Sequence, residues 1–302
     1  MDMNFVALLL VAAVALGAPI LIAALGEMIS ETAGVMNIQI EGMMLVGAFT
    51  GVVGAHLTGN IVVAFLSALA GGLMVAAIHG AACFHFRANQ VVSGIVLNLL
   101  ALGATTFLLM SVLGADVTQA SVKLDPIVIP VLSEIPLIGK ALFAQNIVVY
   151  LAFLLVPAAW FLLDRTPFGL ALKSVGEKPG AAASLGISVN KVRWQALVLC
   201  GALGGIGGGL LTLGGLGFFT PNVTAGRGFI ALAAVVFGRW RPVGTMGAVA
   251  LFSIADAFQI RAQALGFAVP YQLLVALPYV VTILALALFV SRMRPPAALG
   301  IN

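Results

Sequence analysis

Apolar stretches of about twenty residues recur along this chain, and they constrain its fold more than any other feature. A helix of that length crosses a hydrocarbon core about 30 Å thick. Because a spanning segment must satisfy its own backbone, and because these runs are continuous instead of alternating, we predict helices and not a β-barrel. The candidate spans are residues 5–25, 35–55, 61–83, 91–113, 146–163, 194–213, 243–260 and 270–290.

Composition supports the same fold class. Of the 302 residues, 62% are hydrophobic and only 8% are charged, whereas soluble domains carry about 25% charged residues. The sequence predicts one all-α, polytopic transmembrane domain over residues 1–302, with eight full spans. A shorter apolar piece at 228–237 reaches only ~15 Å, about half of the core, and predicts a half-span or part of a broken helix.

Lysine and arginine collect in four segments, and this bias predicts the orientation of the chain. Placing these segments in the cytoplasm puts the C-terminus inside, the amino terminus outside, loop 164–193 in the cytoplasm and loop 115–145 outside. The residues are Arg87; Arg165, Lys173, Lys178, Lys191 and Arg193; Arg239 and Arg241; and Arg292 and Arg294.

The stretch ETAGVMNIQIEGMM, residues 31–44, interrupts the apolar pattern. Glu27 and Glu31 lie four apart near the predicted cytoplasmic end of the first span, where we expect them to be solvated. Asn37, Gln39 and Glu41 alternate with isoleucines, a period of two and not 3.6. Because a carboxylate at the membrane centre costs about 2.5–3.5 kcal/mol, and unwound backbone needs protein or water around it, we predict a broken helix beside a polar pathway.

Two polar stripes add to this prediction. Each stripe alone favours helix–helix hydrogen bonding, but together with the broken element they favour a central pathway. Its amides suit a neutral, hydroxyl- or amide-bearing substrate better than an ion. The stripes are Gln90, Gly94 and Asn98 in the fourth span, and Asp256, Gln259 and Gln263 in the seventh.

Sequence motifs for chemistry are absent. The chain has no GxxxxGK[ST] phosphate loop, so it should not hydrolyse ATP, and its histidines and cysteines do not form a metal-binding spacing. We therefore expect no catalytic residue, metal or cofactor in this chain. The residues leave three functions open: a subunit of an ATP-driven importer, an ion-coupled secondary transporter, or a passive channel for a small neutral solute.

Four stretches carry a resemblance to a known family: SETAGVMNIQIEGMMLVGAF, NQVVSGIVLN, SVGEKPGAAASLGISVNKVRW and GRGFIALAAVVFGRWRPVGTMGA. They resemble the permeases of bacterial ABC importers in the ribose and branched-chain amino acid permease superfamily. The most similar branch is the nucleoside or simple-sugar permeases that work with basic-membrane-protein-type binding lipoproteins. The resemblance covers nearly the whole chain, although Gln39 stands where the family motif has glycine.

The resemblance implies a type II-like ABC permease that carries a nucleoside, with purine nucleosides preferred and a simple sugar as the alternative. It implies partners outside this chain: ATPase subunits that bind ATP and Mg²⁺, a second permease chain in a heterodimer, and an extracytoplasmic binding protein. It also implies a multi-pass location in the bacterial inner membrane. An ion-coupled secondary transporter remains the second alternative.

The resemblance also gives roles to particular residues. The residues that line or support the substrate path are Asn37, Gln39, Glu41, Asn98 and Asp256. The short helix at about 177–186, which the residues alone describe as either a connector or a docking element, resembles a coupling helix that contacts the ATPase. Its candidate residues are Glu177, Ala181, Ala182, Ala183 and Gly186.

Overall fold

A computed structural model describes residues 3–113, 122–265, 272, 273, 280 and 294–301. Helices dominate these residues, which confirms the all-α prediction. They are α1 (Met3–Thr32), α2 (Ile40–Thr58), α3 (Ile61–Gly80), α4 (Gln90–Leu108), α5 (Gly139–Phe143), α6 (Ile147–Arg165), α7 (Pro167–Glu177), α8 (Pro179–Ser184), α9 (Val189–Gly209), α10 (Arg227–Phe237) and α11 (Pro242–Ala264). Helices α3, α4 and α9 continue into π-helical turns at Ala81–His85, Leu109–Leu113 and Leu210–Leu216.

Seven of these helices, namely α1, α2, α3, α4, α6, α9 and α11, are long and apolar enough to cross a membrane. They match seven of the eight predicted spans, and the predicted half-span at 228–237 is α10, with 11 residues. The eighth predicted span, at 270–290, lies almost entirely outside the described residues.

The segment between α4 and α6 contains small elements in its described part, from residue 122 onward. Two short strands, β1 (Ile127–Val128) and β2 (Ala144–Gln145), pair antiparallel with Ile127 opposite Gln145. A 3₁₀ turn at Leu132–Glu134 and helix α5 lie between them. The predicted external loop therefore carries its own secondary structure.

Helix α9 lies at the centre of the described bundle and packs against α1, α2 and α3. Its glycines allow this close packing, since a Cβ at Gly205 would collide with the carbonyl oxygen of Ala68 on α3, and one at Gly208 with that of Met44 on α2. Small residues at such faces let helix backbones approach, which is a main source of association between helices in lipid. The GALGGIGGG stretch of α9 is therefore a helix-packing face.

Helices α3, α4 and α6 each begin after an asparagine. The side-chain oxygens of Asn60, Asn89 and Asn146 accept hydrogen bonds from first-turn backbone N–H groups at 2.8, 3.0 and 3.1 Å. Because the first N–H groups of a helix have no partner within it, such caps fix where each helix starts.

Two shorter helices follow α6. Thr166 ends α6 and caps α7 by accepting from Gly169 N at 3.1 Å, and proline occupies the first position of both α7 and α8. Gly186, with φ of 85°, turns the chain after α8. Glu177 is the last residue of α7, so the predicted short helix is confined to Pro179–Ser184.

The C-terminal segment 294–301 returns to this end of the bundle. Ala298 N donates to Gly176 O at 2.8 Å, and Gly300 N donates to Gly34 O at 3.0 Å. Ala298 is buried. The C-terminal segment therefore joins α7 to the polypeptide between α1 and α2.

Candidate substrate pathway at a broken helix

The predicted interruption is present between α1 and α2. Helix α1 ends at Thr32, residues 33–39 are not helical, and α2 begins at Ile40. Gly34 has φ of 80°, a left-handed conformation that favours glycine. Gly34 N and Val35 N donate to the carbonyl oxygens of Glu31 and Ser30 at 2.9 and 3.1 Å. The break is thus an ordered turn at the end of one spanning helix and the start of the next.

Side chains of helix α4 hydrogen-bond to the backbone around this break. Gln90 Oε1 accepts from Met36 N at 2.7 Å, Asn98 Oδ1 accepts from Gly42 N at 2.8 Å, and Asn98 Nδ2 donates to Ile38 O at 3.0 Å. These bonds supply partners for backbone groups that have no helical partner, as buried polar groups require. The polar stripe predicted on the fourth span therefore hydrogen-bonds to the segment between α1 and α2. Asn98 stabilises the conformation of that segment.

Gly94, the third residue of this stripe, matters because it has no side chain. A Cβ at this position would lie 3.0 Å from Ile38 Cβ and 3.2 Å from Gln39 N. The backbone of α4 can therefore approach the broken segment closely between its two amide side chains.

Glu41 joins the first turn of α2 to the start of α10. Its Oε1 accepts from Thr224 Oγ1 at 2.6 Å and from Gly226 N at 2.8 Å, and its Oε2 accepts from Gly228 N at 2.6 Å. Gly226 has φ of 85°, and a Cβ at Gly228 would lie 2.5 Å from Glu41 Cα. A carboxylate at a helix N-terminus is stabilised by the free N–H groups and the helix dipole. The Glu41 carboxylate is therefore hydrogen-bonded by backbone N–H groups and a hydroxyl, and not by a cationic side chain.

A second group of polar side chains lies on the α1 and α9 side of the break. Asn37 Nδ2 donates to Cys200 Sγ at 2.6 Å, and Cys200 Sγ lies 3.6 Å from Glu27 Oε2. Glu31 Oε2 accepts from Trp240 Nε1 at 2.6 Å. Glu27 and Glu31 are 0% and 2% exposed, so the expectation that they are solvated is wrong. They are covered because α9 and the turn after α10 pack over the end of α1.

Several buried polar atoms of residues near the break have unused hydrogen-bonding capacity. Among the described residues, both side-chain heteroatoms of Gln39 lack a hydrogen-bond partner, as do Asn37 Oδ1 and Glu27 Oε1. Asn37 and Gln39 are both 0% exposed. An unsatisfied buried polar group costs about 1–3 kcal/mol, so each of these atoms is an exception that needs an explanation.

Asp256 lies apart from the break, on α11. Its Oδ2 is 3.8 Å from Arg227 Nη2, at the first residue of α10. Arg227 Nη1 also donates to the carbonyl oxygens of Val223 and Thr224 at 3.4 and 3.3 Å. Asp256 therefore contacts the loop that holds Glu41, but only through Arg227. Thr224, Gly226, Gly228 and Trp240 were not predicted as site residues. Gly226, Gly228 and Trp240 lie in the GRGFIALAAVVFGRW stretch, and Thr224 lies two residues before it.

The short helix α8 exposes most of its small side chains. Ala181, Ala183 and Gly186 are exposed, and so is Glu177 at the end of α7, whereas Ala182 is buried at 2%. Leu185 is 82% exposed. An apolar side chain this exposed, next to small residues, forms a surface that another protein can approach closely.

The part of the chain that the structure describes holds no group of three or more histidine, cysteine, aspartate or glutamate residues placed to bind a metal ion. Seven membrane-length helices, a non-helical segment with buried polar side chains between two of them, and a half-length helix that contacts this segment define the class of protein. It is a multi-pass helical membrane protein.

Comparison with known families identifies the family to which the chain belongs. It belongs to the family described as branched-chain amino acid transport system / permease component, whose family model matches residues 9–289. This confirms the family resemblance carried by the four motifs. No solved structure matches the chain.

Three relatives are similar over most of their length. Guanosine ABC transporter permease protein NupQ of Bacillus subtilis is 40% identical over 296 residues, covering 94% of this chain and 92% of NupQ. "Putative glucose ABC transporter permease protein TsgC13" of Haloferax volcanii is 42% identical over 266 residues, 88% of this chain and 81% of TsgC13. Nucleoside ABC transporter permease protein NupC of Lactococcus lactis is 38% identical over 293 residues, 94% of this chain and 92% of NupC.

Bacillus subtilis also has a more distant relative, Guanosine ABC transporter permease protein NupP. It is 26% identical over 245 residues, covering 77% of this chain and 68% of NupP. One organism thus holds two guanosine permease proteins that differ in their similarity to this chain.

Proposed function

We propose that this chain is the permease subunit of an ATP-driven importer and forms part of the path for a nucleoside, with purine nucleosides preferred. The observation that carries this proposal is the similarity to NupQ and NupC, at 40% and 38% identity over 94% of the chain. A guanosine permease and a nucleoside permease are similar to this chain over nearly its full length.

The substrate path runs beside the break between α1 and α2. Asn37 and Gln39 face it, because their amides have unused donors or acceptors that match the hydroxyls and base edges of a nucleoside. Glu41 and Asn98 keep the break in shape, since their oxygens are occupied by backbone groups and Thr224. Asp256 positions Arg227 and the start of α10. The protein performs no chemistry on the substrate.

The energy for transport comes from ATP hydrolysis in partner subunits. ATPase subunits bind ATP with Mg²⁺ and contact the surface formed by Glu177, Ala181, Ala183 and Gly186. Ala182 is buried and holds α8 against the rest of the bundle. The C-terminal segment, which contacts both Gly176 and Gly34, gives a direct mechanical link from α7 to the break.

A second permease chain completes the path, and an extracytoplasmic binding protein delivers the substrate. The presence of NupQ and NupP in one organism supports a heterodimer of two different permease chains. We place the protein in the bacterial inner membrane with its C-terminus in the cytoplasm, since the basic segments collect on that side.

The same importer with a simple sugar as substrate is the second candidate. The 42% identity to TsgC13, whose name refers to glucose, favours it. The two candidates share the fold, the partners and the pathway, and they differ only in which hydroxyl- or amide-bearing molecule the break accepts.

The partner proposal is tested by purifying the tagged chain from its native membrane in mild detergent and identifying the co-purifying proteins by mass spectrometry. We expect an ATPase with a phosphate-binding loop and a second permease chain. A chain that purifies alone, with substrate uptake indifferent to ATP, would overturn the importer and favour an ion-coupled secondary transporter.

A further inference from the structure

A cavity of about 460 Å³ lies where α6 ends, beside the turn between α10 and α11. Its chemistry is unusual for the edge of an apolar bundle, because it combines two indole rings with three cations. The polar and aromatic lining residues are Trp160, Asp164, Lys173, Arg239, Trp240 and Arg241.

The cavity has an excess of positive charge. Lys173 forms an ion pair with Asp164, which neutralises one cation. Arg239 and Arg241 are exposed, and neither takes part in an ion pair among the described residues. Two guanidinium groups are thus left free to bind an anion, and guanidinium groups hold phosphate oxygens with paired N–H donors.

The turn that carries the two arginines is fixed in an uncommon conformation. Arg239 and Trp240 have φ of 57° and 53°, in the left-handed region. Trp240 Nε1 donates to the buried Glu31 at 2.6 Å, and a Cβ at Gly238 would collide with Thr245. A left-handed conformation in residues other than glycine is uncommon and needs support from its surroundings. Here that support holds both arginines at the mouth of one cavity.

An apolar cavity of about 190 Å³ lies farther along the same helices. Its wall includes Met246 and Val249 of α11, one and two turns beyond the Val243 that lines the basic cavity. On α6 its wall includes Phe153, seven residues before Trp160 and therefore about 10 Å farther along the helix, and α1 contributes residues between Leu10 and Leu21. The basic cavity and the apolar cavity thus follow one another along α6 and α11.

We propose that these two cavities along α6 and α11 form one groove that binds an anionic phospholipid, with its phosphate at Arg239 and Arg241 and an acyl chain in the apolar cavity. Basic pockets between spanning helices suit anionic head groups, and tryptophan concentrates at the head-group level. The site is distinct from the broken helix, but Trp240 joins the two through Glu31. Lipid binding therefore restrains the turn that covers the end of α1.

The test is to purify the assembled protein, exchange it into nanodiscs of mixed phosphatidylcholine and phosphatidylglycerol, and measure retained lipid after delipidation by mass spectrometry. The double variant R239Q/R241Q should retain about thirtyfold less phosphatidylglycerol per protein, since each of the two basic residues contributes about 1 kcal/mol to such binding. The matched control R87Q/K191Q removes two exposed cations away from the cavity and should leave retention unchanged. Equal retention in R239Q/R241Q and the wild type would overturn the proposal.

A second variant addresses the apolar half of the site and keeps the test valid if R239Q/R241Q does not fold. Ala250 is exposed and lines the apolar cavity, so Ala250→Trp should fill the groove and lower lipid retention with both arginines present. Retention unaffected by A250W would contradict an acyl chain in the groove. Displacement of the lipid by inorganic phosphate alone would contradict the proposal in favour of a simple phosphate site. Loss of a co-purifying protein in R239Q/R241Q, with lipid retention unchanged, would instead assign the arginines to a protein contact.

Discussion

Polar groups around the break between α1 and α2 differ in how well their hydrogen bonds are satisfied. The oxygens of Glu41 and Asn98 accept hydrogen bonds from backbone N–H groups and a hydroxyl. Gln39 and Asn37 Oδ1 are at least as deeply buried but lack hydrogen-bond partners among the described residues. A fully paired polar group rigidifies its surroundings, whereas an unpaired one keeps a donor or acceptor for another molecule. We infer that Glu41 and Asn98 set the shape of the break and that Gln39 and Asn37 meet the substrate.

The largest expected effect comes from removing the Glu41 carboxylate. Glu41→Ala leaves Thr224, Gly226 and Gly228 without their acceptor, which should cost about 3–5 kcal/mol in the free energy of unfolding. Thermal unfolding of the detergent-purified protein, followed by fluorescence-detected size exclusion, measures the loss. Glu41→Gln retains an acceptor oxygen and should lose less. Melting of E41A at the wild-type temperature would contradict the shape-setting role.

A smaller loss is expected when α10 is pushed away from α2. Gly228→Ala places a Cβ 2.5 Å from Glu41 Cα, and relief of this backbone clash should cost about 1–3 kcal/mol. Gly247→Ala is the matched control, because Gly247 lies inside α11 with nothing within 4 Å of the added methyl group. The control should keep or slightly raise the melting temperature. If both variants melt alike, the close approach of α10 to Glu41 is not important for stability.

For the unpaired Gln39, the expected effect is on transport and not on stability. Gln39→Met keeps the length of the side chain but removes two unpaired polar atoms, so the unfolding free energy should stay constant or rise by about 1 kcal/mol. Uptake of nucleoside should fall about tenfold, as for a lost substrate hydrogen bond. Asn98→Met serves as the contrast, since it should lower stability by removing the partners of Gly42 N and Ile38 O. Normal uptake by Q39M would remove Gln39 from the path.

The smallest stability effect is expected at α8. Ala181→Glu and Ala183→Glu change exposed positions, so the unfolding free energy should shift by less than about 0.5 kcal/mol. Uptake and ATPase co-purification should nevertheless be lost if this surface contacts the ATPase. Asn190→Glu, at another exposed site nearby, is the control. Replacement of Ala182 is less informative, because that side chain is buried and a charge there would disturb the fold.

Patterns local in sequence predicted most of the fold. Apolar run length gave the seven described spans and the half-length α10, and the alternation of Asn37, Gln39 and Glu41 with isoleucines indicated the break. The glycines of α9 are a similar local signal, because small residues allow close packing wherever two helices meet. Each of these features depends on spacing along one segment.

The partners of the polar residues could not be predicted in the same way. Glu41 bonds to residues 183 to 187 positions away, and Glu31 bonds to Trp240 across 209 positions. Glu27 and Glu31 were expected to be solvated because a single helix does not reveal what covers its end. Burial by α9 and the turn at Trp240 depends on how distant helices assemble, and a single sequence does not record that arrangement.

The most direct test of the nucleoside importer is uptake by the purified complex in proteoliposomes, with its ATPase and binding protein present. We predict that radiolabelled guanosine accumulates only with ATP, and that excess adenosine competes with it whereas glucose does not. Uptake of guanosine without ATP would contradict an ATP-driven importer. ATP-driven uptake of glucose, with none of guanosine, would contradict the nucleoside path and assign the protein to sugar import.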